Sequence, residues 1–418
     1  MPSDSPRDPP DQDGQTTLRR REPPLSAKLS FAGHVYGLQG MLRPLFWVQD
    51  WKEYFSPPPN GPNIIKTYEC RPYLPVRIFF PSSYDQTSSH PLPTLFTIHG
   101  GGFCIGHARD DDAWNRAFAN AHATLVVALN YSKAPAHPFP HAVHDVEALL
   151  LAALADDSLP LDGARTAVLG FSAGGNLALA VSQLPAVRAH PSTPAAAVSF
   201  YGYLDMSTPP EKKLVNRPYK ANLAAPRGDG QDGLMGLLPT FDWSYIPYGQ
   251  DLRDPLLSPY FAERGRLPRF VGVVAAELDL LAHESWRFAC RVAGEGTERG
   301  ADVEVRRRFE VRDARSKDTE GRICGRRGVT GKVGVVRVEV KGGAGEVDGR
   351  FAFEEEWEGG RGGVKWLLVP DALHAFDNKN VREIMGGEET VVDAEEKTRK
   401  VIEEIGGWLR GKVWRMGG

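Results

Sequence analysis

Short runs that are apolar at nearly every position recur along the chain, separated by stretches of helical spacing. Leu125–Leu129, Ala167–Leu169, Ala195–Phe200, Phe270–Ala275 and Trp366–Val369 are runs of this kind. A strand buried on both faces needs no polar alternation, so they predict central strands of a parallel sheet. Leu92–Ile98 adds another, and Ile64–Cys70 and Val76–Phe80 predict two strands joined by a turn at Arg71-Pro72. Between them, Ala142, Val146, Leu149, Leu150 and Ala153 fall on one face of a helix. Ala173–Leu184, Ala282–Val292 and the set Val401, Ile405, Trp408 and Leu409 predict further helices. Strands alternating with helices make a doubly wound α/β sheet. Such sheets bind ligands beyond the carboxyl ends of their strands.

Two segments interrupt the alternation. Leu204–Leu267 is rich in Pro and Gly and carries Phe241, Trp243, Tyr245, Tyr248 and Tyr260. It is too long for a simple loop in a compact domain, so it reads as a lid or substrate-lining excursion, against the plainer alternative of a surface excursion. Gly294–Gly363 is Gly-rich and carries Arg306-Arg307-Arg308 among interleaved acids. We read it as flexible surface, with Val335–Val340 as its one alternating, strand-like stretch; the acids argue against a basic interaction loop.

Composition narrows the setting. The 418 residues are 41% hydrophobic and 25% charged, with a net charge of −3, which suits a globular protein and gives no footprint for a nucleic acid. Cys70, Cys104, Cys290 and Cys324 show no C-x-x-C spacing and read as thiols rather than a disulfide framework. Residues 1–24 are charged and Pro-rich, which predicts a disordered tail and lacks the apolar core of a signal peptide. No apolar run is long enough to span a membrane, and Leu42–Trp51 is short and interrupted by Arg43 and Asp50. The expectation is a soluble, cytoplasmic protein.

The candidate chemistry sits just past four of the predicted strands. Gly170-Phe171-Ser172-Ala173-Gly174 follows Ala167–Leu169 and opens a helix. A serine on such a sharp strand-to-helix turn is exposed, and it becomes a nucleophile once a base takes its proton. His99-Gly100-Gly101-Gly102-Phe103 follows Leu92–Ile98. Consecutive glycines let backbone N–H groups converge on one point, an oxyanion hole to which the Ala173 amide adds a donor. His99 reads as a structural residue that holds this loop. His374 follows the last strand and is the candidate base; Asp279 follows Phe270–Ala276 and is the candidate acid, with Glu277 competing two residues away. His137, His141 and His144 have a spacing that metal sites use, but Pro138 and Pro140 stiffen the segment and serine chemistry needs no metal or cofactor. Asp110–Asp112 reads as a helix N-terminus.

These motifs together resemble a known family. His99–Phe103, then Asn130-Tyr131 with Ala134-Pro135 and His137-Pro138-Phe139-Pro140, then Gly170-Phe171-Ser172-Ala173-Gly174-Gly175-Asn176, are similar to the hormone-sensitive-lipase-like branch of the α/β-hydrolases. Asp254-Pro255-Leu256-Leu257-Ser258-Pro259 matches that branch's segment before the acid strand. The resemblance covers roughly Ile64–Trp408 without the insert. It implies an α/β-hydrolase fold with a mostly parallel doubly wound sheet, an N-terminal helical cap and, here, a long insert before the last strand. It implies Ser172 as nucleophile, Asp279 as acid, His374 as base, and Gly101, Gly102 and Ala173 as oxyanion donors. Phe103 and Phe171 are then substrate contacts. The cap maps to about Leu25–Tyr54, with Phe46, Trp47 and Trp51 as pocket candidates. The implied organisation is a tail (1–24), a cap segment (25–62) and a catalytic domain (63–418).

The implied activity is hydrolysis of short- to medium-chain carboxylic esters through an acyl-enzyme, with a small-molecule ester as the partner. Lactone or amide hydrolysis by the same triad is one alternative; a non-catalytic small-molecule receptor is another. Receptors of this fold lack the catalytic histidine, and His374 is present. The chain departs from the family pattern at Phe171, where an acidic residue is usual, at Tyr131-Ser132-Lys133-Ala134-Pro135-Ala136, and at His374-Ala375-Phe376.

Overall fold

A computed structural model describes residues 18–87, 90–215, 234–296, 352–357, 359–369, 372–379, 381 and 388–416. Among these residues one nine-stranded sheet runs in the order β1-β2-β4-β3-β5-β6-β7-β9-β8. Its strands are β1 (Ile64–Lys66), β2 (Val76–Phe79), β3 (Leu92–Ile98), β4 (Leu125–Leu129), β5 (Leu161–Phe171), β6 (Ala196–Phe200), β7 (Phe270–Ala276), β8 (Ala352–Trp357) and β9 (Gly362–Val369). β4, β3, β5, β6, β7 and β9 are mutually parallel, whereas β1, β2 and β8 pair antiparallel at the margins. The parallel centre is the buried apolar stack that the sequence predicts.

Period-two alternation splits the core into two layers. In β4, Leu125, Val127 and Leu129 join one apolar cluster, while Val126 and Ala128 join the other. In β7, Val271, Val273 and Ala275 face the first cluster and Phe270, Val274 and Ala276 the second. Helices α3 (His141–Leu154), α4 (Ala173–Val181) and α8 (Ala282–Gly296) cover the first face, and α2 (Asp112–His122) and the C-terminal α9 (Glu388–Trp408) cover the second. Short helices α5 (Pro185–Ala189) and α6 (Pro210–Val215) lie in the connections, and α7 (Leu234–Tyr245) lies within the predicted excursion.

The N-terminal segment is a single helix, α1 (Leu25–Phe55), packed on α7. Val35 on it is fully buried, and the Gln39 amide donates to Cys104 O and Ala134 O, both at 2.8 Å. Glu53 pairs with the buried Arg77, which also donates from Nε to Asp112 at 2.8 Å, tying the helix to β2. The predicted tail extends over residues 1–24; of these, 1–17 lie outside the described residues. Its last part is ordered, because Leu18–Arg20 exchange backbone hydrogen bonds with Gly249–Leu252.

The insert departs from the expectation of flexible surface at its C-terminal end. Ala352–Trp357 forms the edge strand β8, paired with β9 along its whole length, and Gly362 and Gly363 already belong to β9. Alternation explains this: Phe353 is buried, while Glu354 faces outward and pairs with Lys365 at 3.2 Å. Val335–Val340 lies outside the described residues. The first predicted strand is also shorter than Ile64–Cys70, since the chain turns after Lys66 where Arg71 N bonds to Tyr68 O.

Candidate active site

β5 ends in Phe171 and α4 begins at Ala173, so Ser172 occupies the corner with φ 53° and ψ −114°. A non-glycine residue pays for positive φ, and here the corner is held from both sides. Ser172 N bonds to Phe200 O at 2.9 Å, and Asn176 N bonds to Ser172 O at 3.2 Å. The turn packs so closely that a Cβ on Gly174 would lie 2.0 Å from Ile98 O, so only glycine fits there.

His374 follows β9 and brings its ring to the serine. Its Nε2 lies 2.9 Å from Ser172 Oγ, and its Nδ1 lies 2.7 Å from Asp279 Oδ2. Asp279 is fully buried after β7, and its other carboxylate oxygen accepts from Leu281 N at 2.9 Å. The structure therefore brings Ser172, His374 and Asp279 into one hydrogen-bonded line across 202 and 95 positions of sequence. Glu277 is buried nearby, but Asp279 is the carboxylate that meets His374 Nδ1. The Tyr201 ring packs edge-on against the imidazole, with centroids 4.8 Å apart. Burial and then Asp377 hold its phenol well above the ordinary range, so it stays a donor to Asp377. Tyr201 itself sits at φ 38°, a strained corner after β6 that sequence reasoning missed because no motif marks it.

The glycine loop faces the serine. Gly100 approaches Phe171 and Ser172, and Gly101 has φ 111°, where a Cβ would come within 2.2 Å of Ile105 O. Gly101 O accepts from Cys104 N and Ile105 N, closing the loop on itself. Among the described residues the amides of Gly101 and Gly102 donate to no backbone carbonyl, and both glycines line the same cavity as Ser172 and Ala173. His99 lies behind the loop, with Nδ1 2.7 Å from Gly100 O and Nε2 3.2 Å from the Lys133 amine. Nε2 also lies 3.1 Å from Asn130 Oδ1, and burial and then Lys133 push the ring's pKa well below the ordinary range, which keeps it neutral. The Tyr131 hydroxyl bonds to His99 O and Gly100 O at 3.2 and 3.1 Å. Burial lowers Lys133 to about 7.

Ser172 and His374 open into an apolar cavity of about 450 Å³. Its walls include Phe103 and Phe171, as the sequence suggests, together with Leu238 and Phe241 of α7. Phe171 packs edge-on against Trp114 and Phe200, filling with ring surface the place where an acid is usual. Asp110 and Asp111 also border the cavity, and burial raises both carboxyls, Asp111 well above the usual range. Trp47 and Trp51 do not reach it, which corrects the expectation. Leu42 and Phe46, one turn apart on α1, face the cavity, and the register of the helix turns Trp47 and Trp51 outward, 64% and 61% exposed. The His137 and His141 rings lie 5.2 Å apart in a tilted arrangement, and no group of three or more metal-ligating side chains is found among the described residues. Nor is any described helix long and apolar enough to cross a membrane.

The comparisons with known proteins agree with this architecture. The sequence profile of the alpha/beta hydrolase fold family matches residues 95–308, which run from within β3 through α8. The chain belongs to the α/β-hydrolase fold family. Within it, the chain falls in the hormone-sensitive-lipase-like branch. It is 30% identical over 225 residues to an arylesterase from Saccharolobus solfataricus, covering 53% of this chain and 68% of that one. It is 38% identical over 132 residues to arylacetamide deacetylase from Oryctolagus cuniculus, covering 30% of this chain and 32% of that one. It is 32% identical over 232 residues to carboxylic ester hydrolase LipN from Mycobacterium tuberculosis, covering 53% of this chain and 57% of that one. The chain thus spans about a third to two thirds of the length of these relatives. Among solved structures, an esterase from the archaeon Pyrobaculum calidifontis has the same fold, with a TM-score of 0.53 at 21% identity over 82% of this chain and 80% of that one.

Proposed function

We propose that this α/β-hydrolase is a metal-independent serine hydrolase that cleaves carboxylic esters of short to medium acyl chain. The observation that carries the reading is the line Ser172 Oγ–His374 Nε2–Asp279 at 2.9 and 2.7 Å, set at an apolar cavity. Ser172 Oγ attacks the ester carbonyl while His374 Nε2 takes its proton. The new oxyanion is received by the amides of Gly101, Gly102 and Ala173. His374 then gives the proton to the departing alcohol, and Asp279 keeps the imidazole in the tautomer that can accept it. Water repeats the two steps on the acyl-enzyme and releases the acid.

A cavity of about 450 Å³ supports small acyl groups over long chains, since it lies toward the small end of small-molecule pockets. His374 at hydrogen-bond distance from the serine supports an enzyme rather than a receptor. The names of the arylesterase and of LipN support an ester, and that of arylacetamide deacetylase supports an aryl amide as the second substrate class. The test is a panel of p-nitrophenyl esters from acetate to palmitate, run beside p-nitroacetanilide and a γ-lactone. The proposal expects kcat/KM to peak at short to medium esters. A peak at palmitate, or on the amide or lactone, would overturn the substrate class.

A further inference from the structure

α1 is apolar on more faces than it buries. Ten of the seventeen large apolar side chains exposed among the described residues lie on this one helix. They include Leu29, Leu45, Trp47, Trp51, Tyr54 and Phe55, and the Trp47, Trp51 and Phe55 rings form a contiguous outward row with centroids 6.3 and 5.1 Å apart. Large apolar side chains gathered in one exposed patch mark a surface built to meet something.

The charges say what it meets. The only acids on α1 are Asp50 and Glu53, and both are neutralised from the body of the protein, by Arg109 and Arg77. Arg43 and Lys52 form no ion pair among the described residues. At 3.6 residues per turn they fall on the two margins of the exposed apolar arc. An apolar face carrying Trp and Tyr, bordered by unpaired bases, has the chemistry of a helix lying in a lipid headgroup layer. A second copy fits less well, because a two-fold contact would set this face against itself with bases and no spare acids. The helix also adjoins the site: Leu42 and Phe46 on its inner side line the cavity, whose wall reaches the surface at Leu237, 43% exposed. We propose that the outer face of α1 seats the protein on an anionic lipid surface, lying on the membrane rather than spanning it, with the cavity beside the lipid. The inference rests on α1 alone and stands whether or not the proposed ester chemistry is right.

The test is co-sedimentation of the full chain with vesicles of phosphatidylcholine alone and of phosphatidylcholine with about a third phosphatidylglycerol, with tryptophan emission read in parallel. The expected result is binding to the anionic vesicles, weakened by salt, with a blue shift as Trp47 and Trp51 enter the interface. Leu45→Glu/Phe55→Glu should weaken binding by roughly tenfold or more, while melting and hydrolysis of a soluble acetate ester stay unchanged. Arg43→Gln/Lys52→Gln should weaken it about tenfold on anionic vesicles and little on neutral ones. Absence of binding to either vesicle overturns the proposal. So does a dimer in light scattering that the Leu45→Glu/Phe55→Glu change dissociates while vesicles compete for nothing, because that outcome assigns the face to a second copy.

Discussion

Replacing Asp279 by Asn removes one charge and leaves the shape of the site intact, and the consequence can be worked from the hydrogen bonds. In the wild type, Asp279 Oδ2 accepts from His374 Nδ1 and Oδ1 accepts from Leu281 N. An asparagine has one acceptor oxygen for these two donors. If its oxygen keeps Leu281 N, its NH₂ faces Nδ1, and the ring must move its proton to Nε2. That nitrogen then points a donor at Ser172 Oγ and can no longer take the hydroxyl proton. If the amide turns over, its NH₂ meets Leu281 N–H in a fully buried place, leaving two donors head to head at a cost of about 1–3 kcal/mol. The productive arrangement is therefore the minor one, and it also lacks the charge that stabilises the imidazolium. We expect kcat/KM to fall by roughly 10²–10⁴, which is about 3–5 kcal/mol of barrier. The assay is steady-state hydrolysis of p-nitrophenyl butyrate, with thermal melting to compare folded fractions. Glu277→Gln, measured alongside, should change the rate far less. A loss of less than threefold in Asp279→Asn, or a larger loss in Glu277→Gln, would refute the assignment of the carboxylate.

Other outcomes bear on the surroundings. Burial raises the Asp242 carboxyl on α7 to about 6, so its protonated form favours folding; that contribution is full below the ordinary value of 3.8 and is lost as pH rises through about 6. Asp242→Asn keeps the Tyr203 hydrogen bond without ionising, so its melting temperature should gain on the wild type between pH 4 and pH 7, by up to about 3 kcal/mol of relative stability; parallel melts at the two pH values would show it. Phe46→Ala, which opens the cavity wall, should raise KM for a hexanoate ester severalfold while Trp47→Ala leaves it within twofold, as initial-rate curves would measure. Replacing residues 298–350 by a short Gly/Ser linker should preserve the fold and keep ester hydrolysis within about tenfold, because loop closure costs grow slowly with length. Extending the deletion through Gly359 should lower the melting point markedly, because it strips β8 and the buried Phe353 from the sheet edge.

The central strands were legible because parallel strands covered on both faces are apolar at consecutive positions, as in Leu125–Leu129. The candidate site was legible because a serine corner and a glycine loop need particular small residues at fixed spacing, and because the acid and base must follow strand ends. What the sequence hid has physical causes. α1 carries large apolar residues on its outward as well as its inward side, so its pattern gives no clear phase, and Trp47 and Trp51 looked as fit for the pocket as Leu42 and Phe46. β8 is an edge strand, and its Glu354-Glu355-Glu356 run disguises the alternation as a solvated loop. Pro239 masks α7 within an aromatic, Pro-rich stretch, so the sequence did not reveal this helix. Tyr201 carries no motif, and its place beside His374 depends on a strained backbone that only the fold reveals.

The most direct test of the central claim is intact and peptide mass spectrometry after treatment with a fluorophosphonate, with hydrolysis followed in the same samples. The account predicts a single adduct on the peptide containing Ser172, loss of ester hydrolysis in step with labelling, and a Ser172→Ala variant that folds, takes no label and is slowed by about a thousandfold or more. A Ser172→Ala variant that still hydrolyses the ester, or a label that settles on another residue as activity disappears, would contradict it.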